Sequence, residues 1–123
     1  MINTGTLNLA EKIMPKFLNS VDKYIHSMKN LQIKVKRGVD SKSLVTQVDL
    51  EIQSMLEKWV VKNFMGHIVY GEENERSLKT SNWIWYVDPI DGTNLFSRDI
   101  EEWGIIISLS HKELPLLSWI HFP

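Results

Sequence analysis

The stretch 83–93, Trp-Ile-Trp-Tyr-Val-Asp-Pro-Ile-Asp-Gly-Thr, constrains the fold of this chain more than any other segment. Its apolar residues 84–87 predict a buried strand. Residues 88–92 predict a turn, because Asp-Pro and Asp-Gly are pairs that favour turns. From Thr93 onward the sequence predicts the start of a helix. The chain is therefore expected to present two carboxylates at the carboxyl end of a strand, just before a helix N-terminus.

These two carboxylates, on Asp88 and Asp91, predict a cation site. They repel each other unless a counter-charge lies nearby, and carboxylate and carbonyl oxygens are the ligands that magnesium and calcium prefer. The amides of Gly92 and Thr93 follow, and a helix N-terminus favours an anion such as phosphate. The segment thus has the chemistry of a metal-dependent phosphatase. The alternative is a plain turn, which explains these residue types but not the acidic blocks upstream.

Two acidic blocks precede this segment. Thr46 and Asp49 have the spacing of a helix capping box, so we expect the second helix to start at Thr46. Glu72 and Glu73 follow a short strand predicted over residues 67–70. Each block also has a simpler interpretation. Asp49 is then an acidic residue in the first turn of a helix, and the two glutamates are a solvated pair in a loop.

The remaining segments predict the elements around these blocks. Apolar residues recur at helical spacing over residues 7–28, where Pro15 should kink the helix or mark its start. Residues 33–35 predict a short strand or extended segment, and residues 37–41 a turn. Residues 103–109 and 116–122 predict a hairpin closed by a turn over 110–115. The continuous apolar run 105–107 predicts a packed layer on each face of the sheet.

Composition excludes several classes of function. The 14 basic and 15 acidic residues give a net charge of −1, which indicates no binding of nucleic acid or of acidic membrane surfaces. There is no cysteine for a disulfide or a thiolate nucleophile. No apolar run approaches the roughly 20 residues that span a bilayer, and no signal pattern is present, so we expect a cytoplasmic protein. The histidines lack ligand spacing and are expected at the surface or in the core: His26, His67, His111 and His121.

Taken together, the three blocks resemble the inositol monophosphatase family of magnesium-dependent, lithium-sensitive phosphatases. Asp88-Pro-Ile-Asp-Gly-Thr93 is similar to the central family signature, Leu44-Val-Thr-Gln-Val-Asp49 to the Val-Thr-x-x-Asp block, and Tyr70-Gly-Glu-Glu73 to the Gly-Glu-Glu block. The resemblance runs from about residue 33 to the last residue. It implies an α+β fold, a layered α/β sandwich of the inositol monophosphatase type, with two long helices packed on a mostly antiparallel sheet.

The resemblance also implies site residues for metal-assisted hydrolysis of a phosphomonoester. Two or three Mg²⁺ ions per complete site would be held by Glu72, Asp88, Asp91 and the Ile90 carbonyl. The residues implied for catalysis are Glu72, Thr93 and Asp49. Those implied for binding the small phosphorylated substrate are Glu72, Ile90, Asp91, Gly92 and Thr93. Glu72 and Thr93 would position the attacking water, and Asp49 would orient Thr93. Glu73 would support the site from behind, and no covalent enzyme intermediate is needed.

The length of the chain differs from that of the family. Family members are about twice as long, and their second half carries a tryptophan-aspartate block that supplies a further metal ligand. The resemblance therefore implies that residues 1–123 are a truncated N-terminal phosphatase domain, with reduced or absent activity alone. We expect a homo-oligomer or pairing with a complementing C-terminal half, since the final strands should expose an apolar surface.

The resemblance favours inositol monophosphate as the substrate, because Phe96-Ser-Arg98 and Glu102-Trp103, which follow the central block, resemble that branch of the family. The alternatives within the family are a 3′(2′),5′-bisphosphate nucleotide, as for a nucleotidase, and fructose 1,6-bisphosphate, as for a fructose-1,6-bisphosphatase. An alternative of another class is a non-catalytic remnant that binds metal or a partner.

Overall fold

In a computed structural model, the described residues form two long helices and a four-stranded sheet. The structure describes residues 4–34, 41–71, 81–91 and 104–123, with side chains for 4–28, 47–71, 81–88 and 104–123. The helices are α1 (Thr4–Lys34) and α2 (Ser41–Asn63). The strands are β1 (Ile68–Gly71), β2 (Trp83–Asp91), β3 (Gly104–His111) and β4 (Leu114–His121).

Helix α1 is longer than the sequence predicts and includes Pro15 in its interior. A proline there removes one backbone hydrogen bond, at a cost of about 3 kcal/mol. The buried apolar stripe on both sides of it holds the helix together: Ala10, Met14, Phe17, Leu18, Val21 and Ile25. Ile33 and Lys34 belong to the end of α1, so the extended segment predicted there is wrong for these two residues. Alternation over only three residues cannot distinguish a strand from the end of a helix.

Helix α2 begins at Ser41, so the predicted start at Thr46 is wrong. Thr46 lies in the helix interior and cannot be its N-cap, and Asp49 lies two turns inside the helix. Residues three apart share a face anywhere along a helix, so the capping-box spacing does not by itself locate a helix start. The buried stripe of α2 consists of Val48, Ile52, Leu56, Val60 and, one residue after Ile52, Gln53.

The strand order in the sheet is β1-β2-β3-β4. Strand β1 runs parallel to β2, and the other neighbours are antiparallel. The predicted hairpin is confirmed as β3 and β4, and its turn contains only Lys112 and Glu113 outside the strands. Their φ angles of 49° and 68° are both positive, as a two-residue type I′ turn requires.

Strand β2 continues beyond its predicted end to Asp91, so the turn predicted from residue 88 is wrong for residues 88–91. Asp88 pairs with Ile106, and Asp91 pairs with Gly104. Between these two pairs β2 advances by three residues, whereas β3 spans only two. The extra residue is a β-bulge, and a bulge tolerates Pro89, which has no N–H for the ladder. Pairing with β3, which is distant in sequence, overrides the local turn preference.

The two helices pack on one face of the sheet. A row of aromatic rings joins the layers, with centroid distances of 5.0 Å from Phe17 to Trp59, 5.4 Å from Trp59 to Trp85, and 5.9 Å from Trp85 to Trp119. The other face is more open, and Ile120 on it is 66% exposed. The sequence predicted a packed layer on each face of the sheet. Among the described residues, such a layer covers only the face on which the helices pack. Neither described helix is long and apolar enough to cross a membrane.

Candidate active site at the carboxyl ends of β1 and β2

The parallel pairing of β1 with β2 brings two of the sequence blocks to one edge of the sheet. Gly71, the last residue of β1, is the register partner of Val87 in β2. Asp88 follows Val87 directly, and Glu72 follows Gly71 directly. Because the carboxyl ends of parallel strands meet at the same edge, this is where a ligand of an α/β sheet is expected. The Asp88 side chain is half-buried there.

Helix α2 brings Asp49 towards the same edge. Gln53 contacts Gly71, since a Cβ placed on Gly71 would overlap the Gln53 amide oxygen. Asp49 lies four residues earlier on the same face of the helix, about 6 Å along its axis at 1.5 Å per residue. The chain reverses between α2 and β1 within a few residues. Asp49 therefore lies beyond the level of Gly71, on the side where β1 ends, and its Oδ1 atom is buried.

The structure describes the predicted site residues to different extents. Asp49 and Asp88 are described with their side chains, and Ile90 and Asp91 are described as part of the β2 backbone. The predictions for Glu72, Gly92 and Thr93 lie outside the described residues, as does that for Glu73. Within the described ranges, no three or more His, Cys, Asp or Glu residues are grouped so as to hold a metal ion.

A shallow cavity of about 150 Å³ lies beside this edge on the open face of the sheet. Tyr70, Tyr86 and Asp88 are among its lining residues. The two tyrosine rings meet edge to face, with centroids 5.8 Å apart, and each side chain is nearly two-fifths exposed. Neither tyrosine, nor Gln53, was predicted from the sequence as a site residue. The signal for Gln53 was available, because a polar residue interrupts the apolar stripe of α2 next to Ile52.

His67 lies near the opposite edge of the sheet, in a cluster of aromatic rings. Its Nδ1 atom accepts a hydrogen bond of 3.0 Å from Trp85 Nε1, and its ring stacks on Trp83 with centroids 5.1 Å apart. Burial, together with a smaller effect of the neighbouring His111, lowers the pKa of His67 to about 4. Another histidine, His121 in β4, bonds to Asp22 in α1 over 2.7 Å. His67 thus has its partners in the aromatic cluster away from the candidate site, and His121 has its partner in the helix layer.

Comparison with known proteins assigns the chain to a family. The model of the inositol monophosphatase family matches residues 4–123. The chain belongs to the inositol monophosphatase family. This confirms the resemblance deduced from the three sequence blocks, which occupy residues 44–93 of the chain.

Two curated members of the inositol monophosphatase family illustrate the relationship. The probable inositol 1-monophosphatase ImpA of Mycobacterium tuberculosis is 34% identical over 89 residues, which are 71% of this chain and 32% of ImpA. The 3′(2′),5′-bisphosphate nucleotidase CysQ of Haemophilus influenzae is 30% identical over 105 residues, which are 82% of this chain and 39% of CysQ. The matched part of the chain therefore spans about a third of ImpA and about two-fifths of CysQ.

Solved structures of the family confirm the predicted α+β fold. A calcium-bound inositol monophosphatase family protein from Staphylococcus aureus superposes with a TM-score of 0.76 at 26% identity. The superposition covers 94% of this chain and 42% of that protein. An IMPase/NADP phosphatase complexed with Mg²⁺ and phosphate gives a TM-score of 0.73 at 25% identity, covering 95% of this chain and 45% of that one.

Proposed function

We propose that residues 1–123 form the N-terminal half of a phosphatase domain that hydrolyses phosphomonoesters with the help of magnesium. The observation that carries the proposal is the register between Gly71 and Val87 at the carboxyl ends of two parallel strands. Glu72 and Asp88 are each one peptide beyond these partners, and successive α-carbons are about 3.8 Å apart. The proposal therefore places both carboxylates, which come from separate sequence blocks, at this edge of the sheet.

The donor chemistry fits a hard divalent cation. Carboxylate and carbonyl oxygens are the ligands that magnesium prefers, and Asp49 and Asp88 place two half-buried carboxylates on the side where β1 and β2 end. Magnesium would be held by Glu72, Asp88, Asp91 and the carbonyl of Ile90, with two or three ions in a complete site. When bound, magnesium supplies positive charge that polarises the phosphate group. The relative solved with Mg²⁺ and phosphate supports the choice of a divalent cation and a phosphate ligand.

The side chains of the chain itself orient the reactants. Glu72 and Thr93 align the attacking water with the phosphorus atom, and Asp49 fixes the hydroxyl of Thr93 by accepting its hydrogen bond. The amides of Gly92 and Thr93 donate to the phosphate oxygens, where negative charge develops during transfer. A water molecule attacks directly, so no nucleophilic side chain is required.

Inositol monophosphate is the substrate that we favour, and the relationship to ImpA supports it. A 3′(2′),5′-bisphosphate nucleotide is the second candidate, because CysQ matches a larger share of this chain. Fructose 1,6-bisphosphate is the third, since a fructose-1,6-bisphosphatase/inositol-1-monophosphatase is also a relative. Release of phosphate from these three compounds, with and without lithium, separates the candidates.

We propose that another polypeptide segment covers the exposed apolar side chains of β4 and the residue after it. Leu114, Ile120 and Phe122 are each more than half exposed, with values of 58%, 66% and 68%. The chain spans less than half of the solved relatives, so a complementing C-terminal half is the favoured occupant and a second copy of this chain the alternative. The cytoplasmic location expected from the sequence remains a prediction.

A titration with Mn²⁺, a paramagnetic substitute for Mg²⁺, tests the metal site in this chain. Asp88→Asn removes one carboxylate at the edge, and we expect it to weaken Mn²⁺ binding about tenfold or more. Glu113→Gln is the matched control, because it removes one negative charge in the exposed hairpin turn at the opposite edge. Equal Mn²⁺ affinity in Asp88→Asn and in the unmodified chain would contradict the proposal. That result would favour the alternative that the chain is a non-catalytic remnant.

A further inference from the structure

Gln53 is a buried polar residue that the mechanism above does not use. Its side chain is only 3% exposed, within the stripe of α2 that packs on the sheet. Its Nε2 atom donates to Glu57 Oε1 over 3.3 Å. A carboxylate can only accept hydrogen bonds, so Glu57 fixes which end of the amide faces it. The amide oxygen is consequently turned the other way, towards β1.

Gly71 is the residue that the amide oxygen meets. A Cβ placed on Gly71 would overlap both the oxygen and the carbonyl carbon of the Gln53 amide. Gly71 does not have a positive φ angle, whereas Gly66 does. Glycine is therefore needed at position 71 for the close approach of α2 and not for an unusual backbone conformation. This contact explains the glycine of the Gly71-Glu72-Glu73 block.

The Gln53 oxygen is buried and has no hydrogen-bond partner among the described residues. A buried amide acceptor of this kind destabilises the fold, and methionine has a similar length and would continue the apolar stripe. Packing alone therefore does not explain a glutamine at this position. The oxygen contacts Gly71, which is the last residue of β1 and directly precedes Glu72 in the sequence.

We infer that Gln53 is a positioning residue. Its buried amide holds the backbone of Gly71 in place and thereby determines where the chain leaves β1 and continues to Glu72. The inference rests on the proposed function, in which Glu72 and Asp88 hold the same metal ion. Groups that orient metal ligands without touching the metal influence affinity strongly, and their loss weakens binding typically 10- to 100-fold. Gln53 acts through the backbone of β1 and does not contact the metal itself.

A double-mutant cycle tests the contact between Gln53 and Gly71. Gly71→Ala should lower the melting temperature, because its new methyl group collides with the Gln53 amide. Gln53→Ala makes room for that methyl group, so the double variant should be more stable than the sum of the two single effects predicts. Additive effects would show that the two residues do not interact.

Metal binding distinguishes a positioning role from a purely structural one. Gln53→Met keeps the length of the side chain and removes its amide, and we expect about tenfold weaker Mn²⁺ binding. Gln47→Met is the matched control, the same substitution at an exposed position of the same helix. It should bind Mn²⁺ as the unmodified chain does. Unchanged Mn²⁺ affinity in Gln53→Met would overturn the inference.

Hydrogen exchange separates a failure of this inference from a failure of the proposed function. An unmodified chain that binds no Mn²⁺ would refute the metal site. The role of Gln53 at the end of β1 would then be decided by the exchange rates of the Tyr70 and Gly71 amides. Gln53→Met should accelerate exchange at both amides, and Gln47→Met should not. Equal rates in all three proteins would overturn the inference.

Discussion

Stability should depend on the charge of His67. In the folded chain its Nδ1 atom accepts the hydrogen bond from Trp85 Nε1, and an indole N–H can only donate. Protonation of Nδ1 would replace that hydrogen bond with a clash of two donors, in a pocket that also stacks the imidazole ring against Trp83. Burial, with a smaller effect of His111, lowers the pKa of His67 from 6.5 to about 4.

The direction of the pH dependence follows from proton binding. Between pH 6.5 and 4 the unfolded chain binds a proton at His67 and the folded chain does not, so stability falls as the pH is lowered through this range. The full difference in pKa would correspond to about 3.4 kcal/mol at 1.36 kcal/mol per pKa unit. The ring is only partly buried, and screening by solvent reduces the expected loss to roughly 1–2 kcal/mol.

Urea unfolding at pH 7.5 and at pH 4.5 measures this effect. His67→Gln retains a side-chain acceptor for Trp85 and cannot titrate, so the loss of stability on acidification should shrink by roughly 1–2 kcal/mol relative to the unmodified chain. His26→Gln, at an exposed position of α1, is the matched control. It should lose as much stability on acidification as the unmodified chain does. If His67→Gln and the unmodified chain lose equal stability, the imidazole is not held neutral by its surroundings.

Three further predictions concern the packing of the helices and the hairpin. Trp85→Ala removes a fully buried ring that touches both layers, and it should lower the free energy of unfolding by about 3–5 kcal/mol in urea titrations. Asp22→Asn combined with His121→Gln should reveal a coupling energy of about 0.5–1 kcal/mol in a double-mutant cycle at pH 6, since this pair joins α1 to β4 but is partly exposed. Replacing the turn residues by K112N and E113G should raise the melting temperature, because asparagine and glycine adopt the positive φ angles of this turn at lower cost. A melting temperature that falls would show that the side chains of Lys112 or Glu113 stabilise the turn.

Local sequence patterns were sufficient for most elements of this fold. The apolar run before Asp88 predicted β2, and the helical periodicity around Pro15 predicted α1, because both signals arise from burial of one face. The start of α2 and the end of β2 were not predictable in the same way. The extension of β2 to Asp91 depends on pairing with β3, which is distant in the chain and contributes hydrogen bonds that no local pattern encodes.

The candidate site was predictable as a set of residues but not as an arrangement. The carboxylates of Asp49 and Asp88 were identified from short motifs, while their approach to one edge of the sheet depends on the parallel register of β1 and β2 and on the packing of α2 against β1. The contact of Gln53 with Gly71 depends on how closely α2 approaches the sheet. Such a distance is set by packing of the whole core, and no spacing in the sequence reports it.

The claim that most needs testing is that a divalent ion binds where β1 and β2 end. Paramagnetic line broadening in NMR spectra of the ¹⁵N-labelled chain, recorded during addition of Mn²⁺, measures this directly. We predict that the amide signals of Gly71 and Asp88 broaden first, while those of Lys112 and Leu114 at the opposite edge of the sheet remain sharp. Equal broadening at both edges, or none at Gly71 and Asp88, would contradict a metal site at this edge.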